Sequence, residues 1–293
     1  MTSLDADIPG SIAALEDAAR NLSLKTKLYR TLLRGKGVEF DGYREYASDD
    51  DASVIDWKAS KRSNSLLVKQ YREERDLKIL FAVDCSERML FGSGKKLKAA
   101  YAAEVSASLA HLFLNTGDKI GFLLFNTIHS IAVPVSRGIN QFYFFVDNLL
   151  NGSNYSGNSG FHAAFETILN SFPMVDVLVL VSDFYGMKQT DERLLGFLGG
   201  SFECLSLVLR DRFDLTLPSF SGQFVLQDPN TGEQVLINPK IARQQYTYFS
   251  NQFDSHLRSV FSKKNIDSLF LKTDDSFILP LSSFLSQRVG VYL

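Results

Sequence analysis

From Leu77 onward, apolar runs of strand length alternate with segments whose apolar residues recur at helical spacing. The pattern predicts strands at 77–84, 119–125, 175–182, 202–209 and 267–271. It predicts helices over about 95–115, 138–150, 160–171, 190–199, 240–264 and 276–288. Strand–helix alternation of this kind implies an α/β fold with a doubly wound, mostly parallel sheet. Residues 128–134 read as a hairpin partner of 119–125, adding an antiparallel edge. Asp228-Pro229-Asn230-Thr231-Gly232, between FVL and QVLI, marks a hairpin insertion near 219–237.

The N-terminal part is patterned differently. Residues 11–34 read as an amphipathic helix closed by Gly35 and Gly37. From Val38 to Arg75, aromatic and charged residues alternate around an acidic triplet, Asp49–Asp51, and basic clusters at Lys58–Arg62 and Lys69–Arg75. Short strands and turns are expected there, with Trp57 as a packing anchor or, alternatively, an exposed hot spot for a partner. The chain thus divides into an N-terminal helix (1–36), a small β-rich element (37–76) and the α/β domain (77–293). No Gly/Ser/Pro-rich spacer separates the last two, so the small element is expected to pack on the sheet.

Two strands deliver acidic residues to their C-terminal ends, where ligands gather in an open parallel sheet. LKILFAVDCSERM presents Asp84 and Ser86, and VLVLVSDF presents Ser182 and Asp183. An aspartate and a hydroxyl two positions apart make half of a hard-cation site, since Mg²⁺ takes oxygen ligands. Acidic residues at strand ends also commonly cap the following helix or turn. FGSGKK sits where a phosphate-binding loop would, but Met89 stands in place of its first glycine and Lys96 in place of its hydroxyl. No nucleotide hydrolysis is expected. His111, His129, His162 and His256 show no metal-ligand spacing and are read as structural.

Composition narrows the classes further. The formal charge of −2 and the absence of a long basic run argue against nucleic-acid binding. No run approaches the roughly 18 apolar residues of a membrane span. MTSLDADIPGSIAAL lacks the basic-then-apolar pattern of a secretory leader. Cys85 and Cys204, both in apolar runs, fit a reducing compartment. A cytoplasmic location is expected.

Asp84-x-Ser86-x-Arg88-Met89 resembles the D-x-S-x-S metal-ion-dependent adhesion motif of von Willebrand factor A domains. Ser159 falls where that family places its threonine ligand, and Asp183 where it places its last acidic ligand. The stretch from VEFDGYREYASDDD through IDWKAS and VKQYREER to FAVD resembles a bacterial family catalogued as domain of unknown function fifty-eight. The likeness covers about 35–290, including LVLRDRFDLTLP and DPNTGEQVLIN. That family's members are von Willebrand A-like proteins often encoded beside MoxR-type AAA+ ATPases. The resemblance implies a metal set of Asp84, Ser86, Ser159 and Asp183 holding Mg²⁺ or another divalent cation. It also implies a non-enzymatic adaptor that works with a MoxR-type ATPase on a protein client, in complex assembly or remodelling.

The chain departs from the pattern in three places. Arg88 replaces the third motif serine, Ser159 replaces threonine, and Ser48, Asp49 and Ser53 depart from the usual upstream P-G-D-D-x-R. Arg88 is expected to weaken the metal site by pairing with Asp84 or Asp183. Like unit charges about 4 Å apart repel by about 4 kcal/mol at an effective dielectric of about 20, and a divalent ion doubles that. The alternatives are a metal-dependent hydrolase on the same oxygen cluster and a metal-free scaffold in which Arg88 replaces the cation.

Overall fold

The computed structural model describes residues 3–21, 39–47, 55–63, 65–72, 77–219, 222–227 and 233–290. The central sheet contains β3 (Lys78–Asp84), β4 (Lys119–Phe125), β5 (Ser130–Ser136), β6 (Val177–Ser182), β7 (Glu203–Arg210) and β10 (Ile266–Lys272). Their order is β10–β7–β6–β3–β4–β5, parallel throughout except for the antiparallel β4–β5 edge. The runs ILFAV in β3 and VLVLV in β6 are continuous because both faces of these strands are covered.

Strand alternation splits the core in two. Ile79, Phe81, Val83, Val177, Val179 and Val181 point to one face. That face is covered by α1 (Ile8–Asn21), α3 (Lys98–Asn115), α4 (Ile139–Leu150) and α9 (Ile278–Gly290). Leu80, Ala82, Leu178 and Leu180 point to the other, beneath α5 (Phe161–Ser171), α6 (Asp191–Ser201) and α8 (Pro239–Lys263). Each fully buried Leu, Val or Phe contributes about 1.5–3 kcal/mol, so two full interfaces stabilise the sheet without staples. The two cysteines are free and buried. Because α3 crosses on one face and α5 on the other, the winding reverses between β3 and β6. Ligands collect at such a switch point.

Outside the sheet, β1 (Glu39–Glu45) pairs antiparallel with β2 (Leu67–Arg72), flanking a short helix, α2 (Trp57–Ser63). The pattern reading gave strands and turns here and missed α2, which Asp56 caps by accepting from the amides of Lys58 and Ala59. Trp57 is not a packing anchor: it is 68% exposed, because it opens α2 on the solvent side. The element therefore does not dock on the sheet through Trp57. The hairpin of β8 (Phe224–Gln227) and β9 (Gln234–Ile237) is present. The rest of the expected 11–34 helix, Gly35, Gly37, Ser48, Asp49–Asp51, Ser53 and the turn 228–232 lie outside the described residues, as do residues 73–75 of the second basic cluster. No described helix is long and apolar enough to cross a membrane.

Candidate functional site

The loops that follow β3 and precede α5 are stitched together, and this places the side chains. Cys85 donates from its amide to Phe125 O (2.8 Å), and Ser156 N donates to Cys85 O (3.0 Å). Glu87 N donates to Gly157 O, while the Glu87 carboxylate accepts from Gly157 N (3.2 Å). Asn126 Nδ2 reaches the carbonyls of both Cys85 and Asn154. Gly157, at φ +60°, makes the turn, and Gly186 leaves room beside Ser159, since a Cβ there would lie 2.9 Å from Ser159 Oγ.

Ser159 is thereby brought to the end of β3. Its hydroxyl donates to Asp84 Oδ2 (2.8 Å) and lies 3.1 Å from Ser86 Oγ. Ser182 Oγ also donates to Asp84 Oδ2 (2.7 Å), and Ser86 N donates to Oδ1 (2.9 Å). Asp84 is fully buried. Burial and the neighbouring charge of Asp183 push its carboxyl above the ordinary range, against the pull of these donors.

Asp183, at the end of the adjacent strand, has different company. Its Oδ2 accepts from Lys98 Nζ at 2.5 Å, and Lys98 also stands 3.3 Å from Asp214 Oδ2. Lys98 is the first residue of α3 and is only 2% exposed. Burial raises the Asp183 carboxyl, but Lys98 more than offsets it, with help from Arg88, and the net direction is down. Asp183 Oδ1 accepts from Tyr185 N, and the Asp183 carbonyl accepts from Arg210 Nη1. Phe184, between them, holds φ +58°, unusual for a bulky residue. Its amide donates to Ser182 Oγ, and its ring stacks on Phe161.

The family model described as "Protein of unknown function DUF58" matches residues 42–256. The chain belongs to this family. It is 25% identical over 295 residues to "Uncharacterized protein Mb1516" of Mycobacterium bovis, covering 97% of this chain and 92% of that protein. Among solved structures it is similar to conserved hypothetical protein BatB from Bacteroides thetaiotaomicron, with 12% identity and TM-score 0.48, covering 73% of this chain and 99% of that one. It is also similar to the SpRpn10 VWA domain, with 11% identity and TM-score 0.38, over 74% of this chain and 95% of that one.

In this DUF58 chain, Asp84, Ser86 and Ser159 come into direct contact, and Asp183 lies on the neighbouring strand. Arg88, however, pairs with neither aspartate. It sits on the 3₁₀ turn Glu87–Leu90, with its guanidinium 5.7 Å from the centre of the Tyr185 ring. The cation in contact with Asp183 is Lys98, because the start of α3 lies over the end of β6. The pattern reading did not weigh Lys98 as a site residue. It also did not consider Asp214 or Arg210, which the short helix α7 (Arg212–Leu215) and the end of β7 bring to the cleft. FGSGKK is engaged elsewhere: Ser93 donates to Asp211 from both amide and hydroxyl, and Lys96 binds Glu104 at 2.7 Å.

Oxygen donors of the class that suits Mg²⁺ converge here, but the charge does not. Of the two strand-end carboxylates, Asp183 is already paired with the Lys98 ammonium, and Asp84 is spent on three donors, Ser86 N, Ser159 Oγ and Ser182 Oγ. As arranged, the set does not fit a divalent ion. The raised Asp84 carboxyl has a pH signature. A carboxyl whose folded value is raised favours the native state most fully below its unfolded value, and that benefit is lost as pH rises through the folded value. Asp84→Asn should therefore gain stability relative to wild type as pH rises from 4 to neutrality. Urea unfolding of both proteins across that range checks it, and a gap that narrows with pH would contradict the burial argument.

Proposed function

We propose that this chain is a non-enzymatic, cytoplasmic adaptor that presents the C-terminal edge of its sheet to protein partners. A MoxR-type AAA+ ATPase would be one of them, in the assembly or remodelling of a client complex. The reading is supported by membership of the DUF58 family and by the von Willebrand A-like sheet. The observation that carries it is the β3–β6 switch point, where loops converge on the buried Asp84 and Ser86 and the part-buried Ser159. The loops around it carry the half-buried Arg88 and the exposed Phe91 and Ile128. A guanidinium with no ion-pair contact among the described residues, beside exposed apolar side chains, suits an acidic or aromatic anchor from a partner.

The test is retention of the purified MoxR-type ATPase on the immobilised full chain. Wild type should retain it. Arg88→Gln and Ile128→Asp should each weaken retention by about tenfold, a loss of about 1.4 kcal/mol, with both variants still folded at the assay temperature. Equal retention by wild type and both variants would remove these loops from the interface. No retention by wild type would remove the ATPase.

A further inference from the structure

We propose that the Lys98 ammonium is the resident cation of this cleft, a side chain standing in for a divalent ion, so that the cleft is built to work without metal. The geometry points to this in three ways. First, Lys98 Nζ lies 2.5 Å from Asp183 Oδ2 and 3.3 Å from Asp214 Oδ2, and is enclosed by the rings of Phe91 and Tyr185 at 5.8 and 5.9 Å. A buried ammonium persists only when it is paired in this way. Second, it cannot drift off. Lys98 N donates to Phe91 O (3.0 Å), which fixes the start of α3, and the tether makes the meeting of ammonium and carboxylate intramolecular. Third, the one carboxylate left over beside the hydroxyls of Ser86 and Ser159 is Asp84, which already accepts from Ser86 N, Ser159 Oγ and Ser182 Oγ. A divalent ion placed among them would face Lys98 across Asp183 and the guanidinium of Arg88, which already acts on Asp183.

The same geometry separates Lys98 from Arg88. Arg88 acts on Asp183 from a distance over Tyr185, whereas Lys98 touches it. Removing Arg88 should leave the charge balance of the cleft in place, and removing Lys98 should vacate it. This inference stands apart from the ATPase partnership, because it is read by metal alone and partner retention is read by protein alone.

The experiment is titration of Mn²⁺ into the full chain, followed by calorimetry and by the electron paramagnetic resonance signal of free Mn²⁺. Wild type should give no saturable binding up to millimolar ion, and Arg88→Ser should behave identically. Lys98→Ala should bind Mn²⁺ saturably and rise in thermal midpoint when it is added. Saturable binding by wild type at submillimolar Mn²⁺ would overturn the proposal. So would binding gained in Arg88→Ser, or a folded Lys98→Ala that gains none. If Lys98→Ala does not fold with or without Mn²⁺, the wild-type and Arg88→Ser titrations decide alone, by the same outcomes.

Discussion

Lys98→Met should lower unfolding stability by about 3–5 kcal/mol at neutral pH, the cost of leaving a buried charge without its partner. Methionine fills nearly the same volume, so the loss reports on charge more than on a cavity. Two carboxylates lose their cation at once: Asp183, which is fully buried, and Asp214, whose carboxyl burial already pushes up. The pH dependence follows from the direction of each shift. In wild type the Asp183 carboxyl is lowered, so its contribution is present above its unfolded value and lost as pH falls through the folded one. Without Lys98, burial raises that carboxyl, and the variant loses stability as pH rises instead. The deficit should be largest near neutrality and shrink toward pH 4. Urea unfolding at both pH values measures it. The double variant Lys98→Met/Asp183→Asn should recover part of the loss, because the orphaned charge is gone. A single variant within about 0.5 kcal/mol of wild type at neutral pH would mean the pair is solvated and the buried-cation argument is wrong.

The parts of the site that were legible in the sequence are those set by strand periodicity. A buried parallel strand reads as an unbroken apolar run, so the first polar residues after ILFAV and VLVLV mark its C-terminal edge, and Asp84, Ser86, Ser182 and Asp183 stand there. Ser159 was legible only through family resemblance, since nothing local to SGNSGFHAAF says that its loop folds back on Cys85 and Glu87. Lys98 carries no mark of a site in the sequence, since a lysine opening a helix ordinarily reaches into solvent. The signal was present in the rest of α3. Apart from Lys98, Glu104 and His111, KAAYAAEVSASLAHLF is small or apolar on every face, and a helix of that kind is buried. A lysine on it must therefore find an anion. The same logic applies to Arg210, which ends the fully covered strand LSLVLR. Trp57 failed in the opposite direction. A large indole was read as core, yet it sits among Lys58, Ser60, Lys61 and Arg62, a mostly polar neighbourhood with little to bury it.

Arg210 should prove the second most sensitive position. It is 1% exposed, and its Nε and Nη2 both donate to Asp254 Oδ1, at 2.9 and 2.7 Å. Nη1 donates to the carbonyls of Asp183 and Leu209, and the guanidinium lies 4.4 Å from the centre of the Tyr185 ring. A planar fork does all of this at once, and an ammonium cannot. Arg210→Met removes the charge, strands Asp254 and frees two carbonyls, at an expected cost of about 3 kcal/mol. The cost falls short of the Lys98 case because Asp254 keeps some contact with water, at 17% exposure. Arg210→Lys should recover less than half of that loss, because it restores charge without the fork or the stacking. The position also carries a local readout. The Asp183 carbonyl precedes Phe184, whose positive φ persists only while its surroundings hold it. Once Arg210 lets go, amide hydrogen exchange at Phe184 and Tyr185 should speed up beyond what global destabilisation explains, while the far end of β6 near Val177 follows global stability alone. If exchange rose equally at both ends of β6, Arg210 would be a general core residue and not the brace of the Asp183 turn.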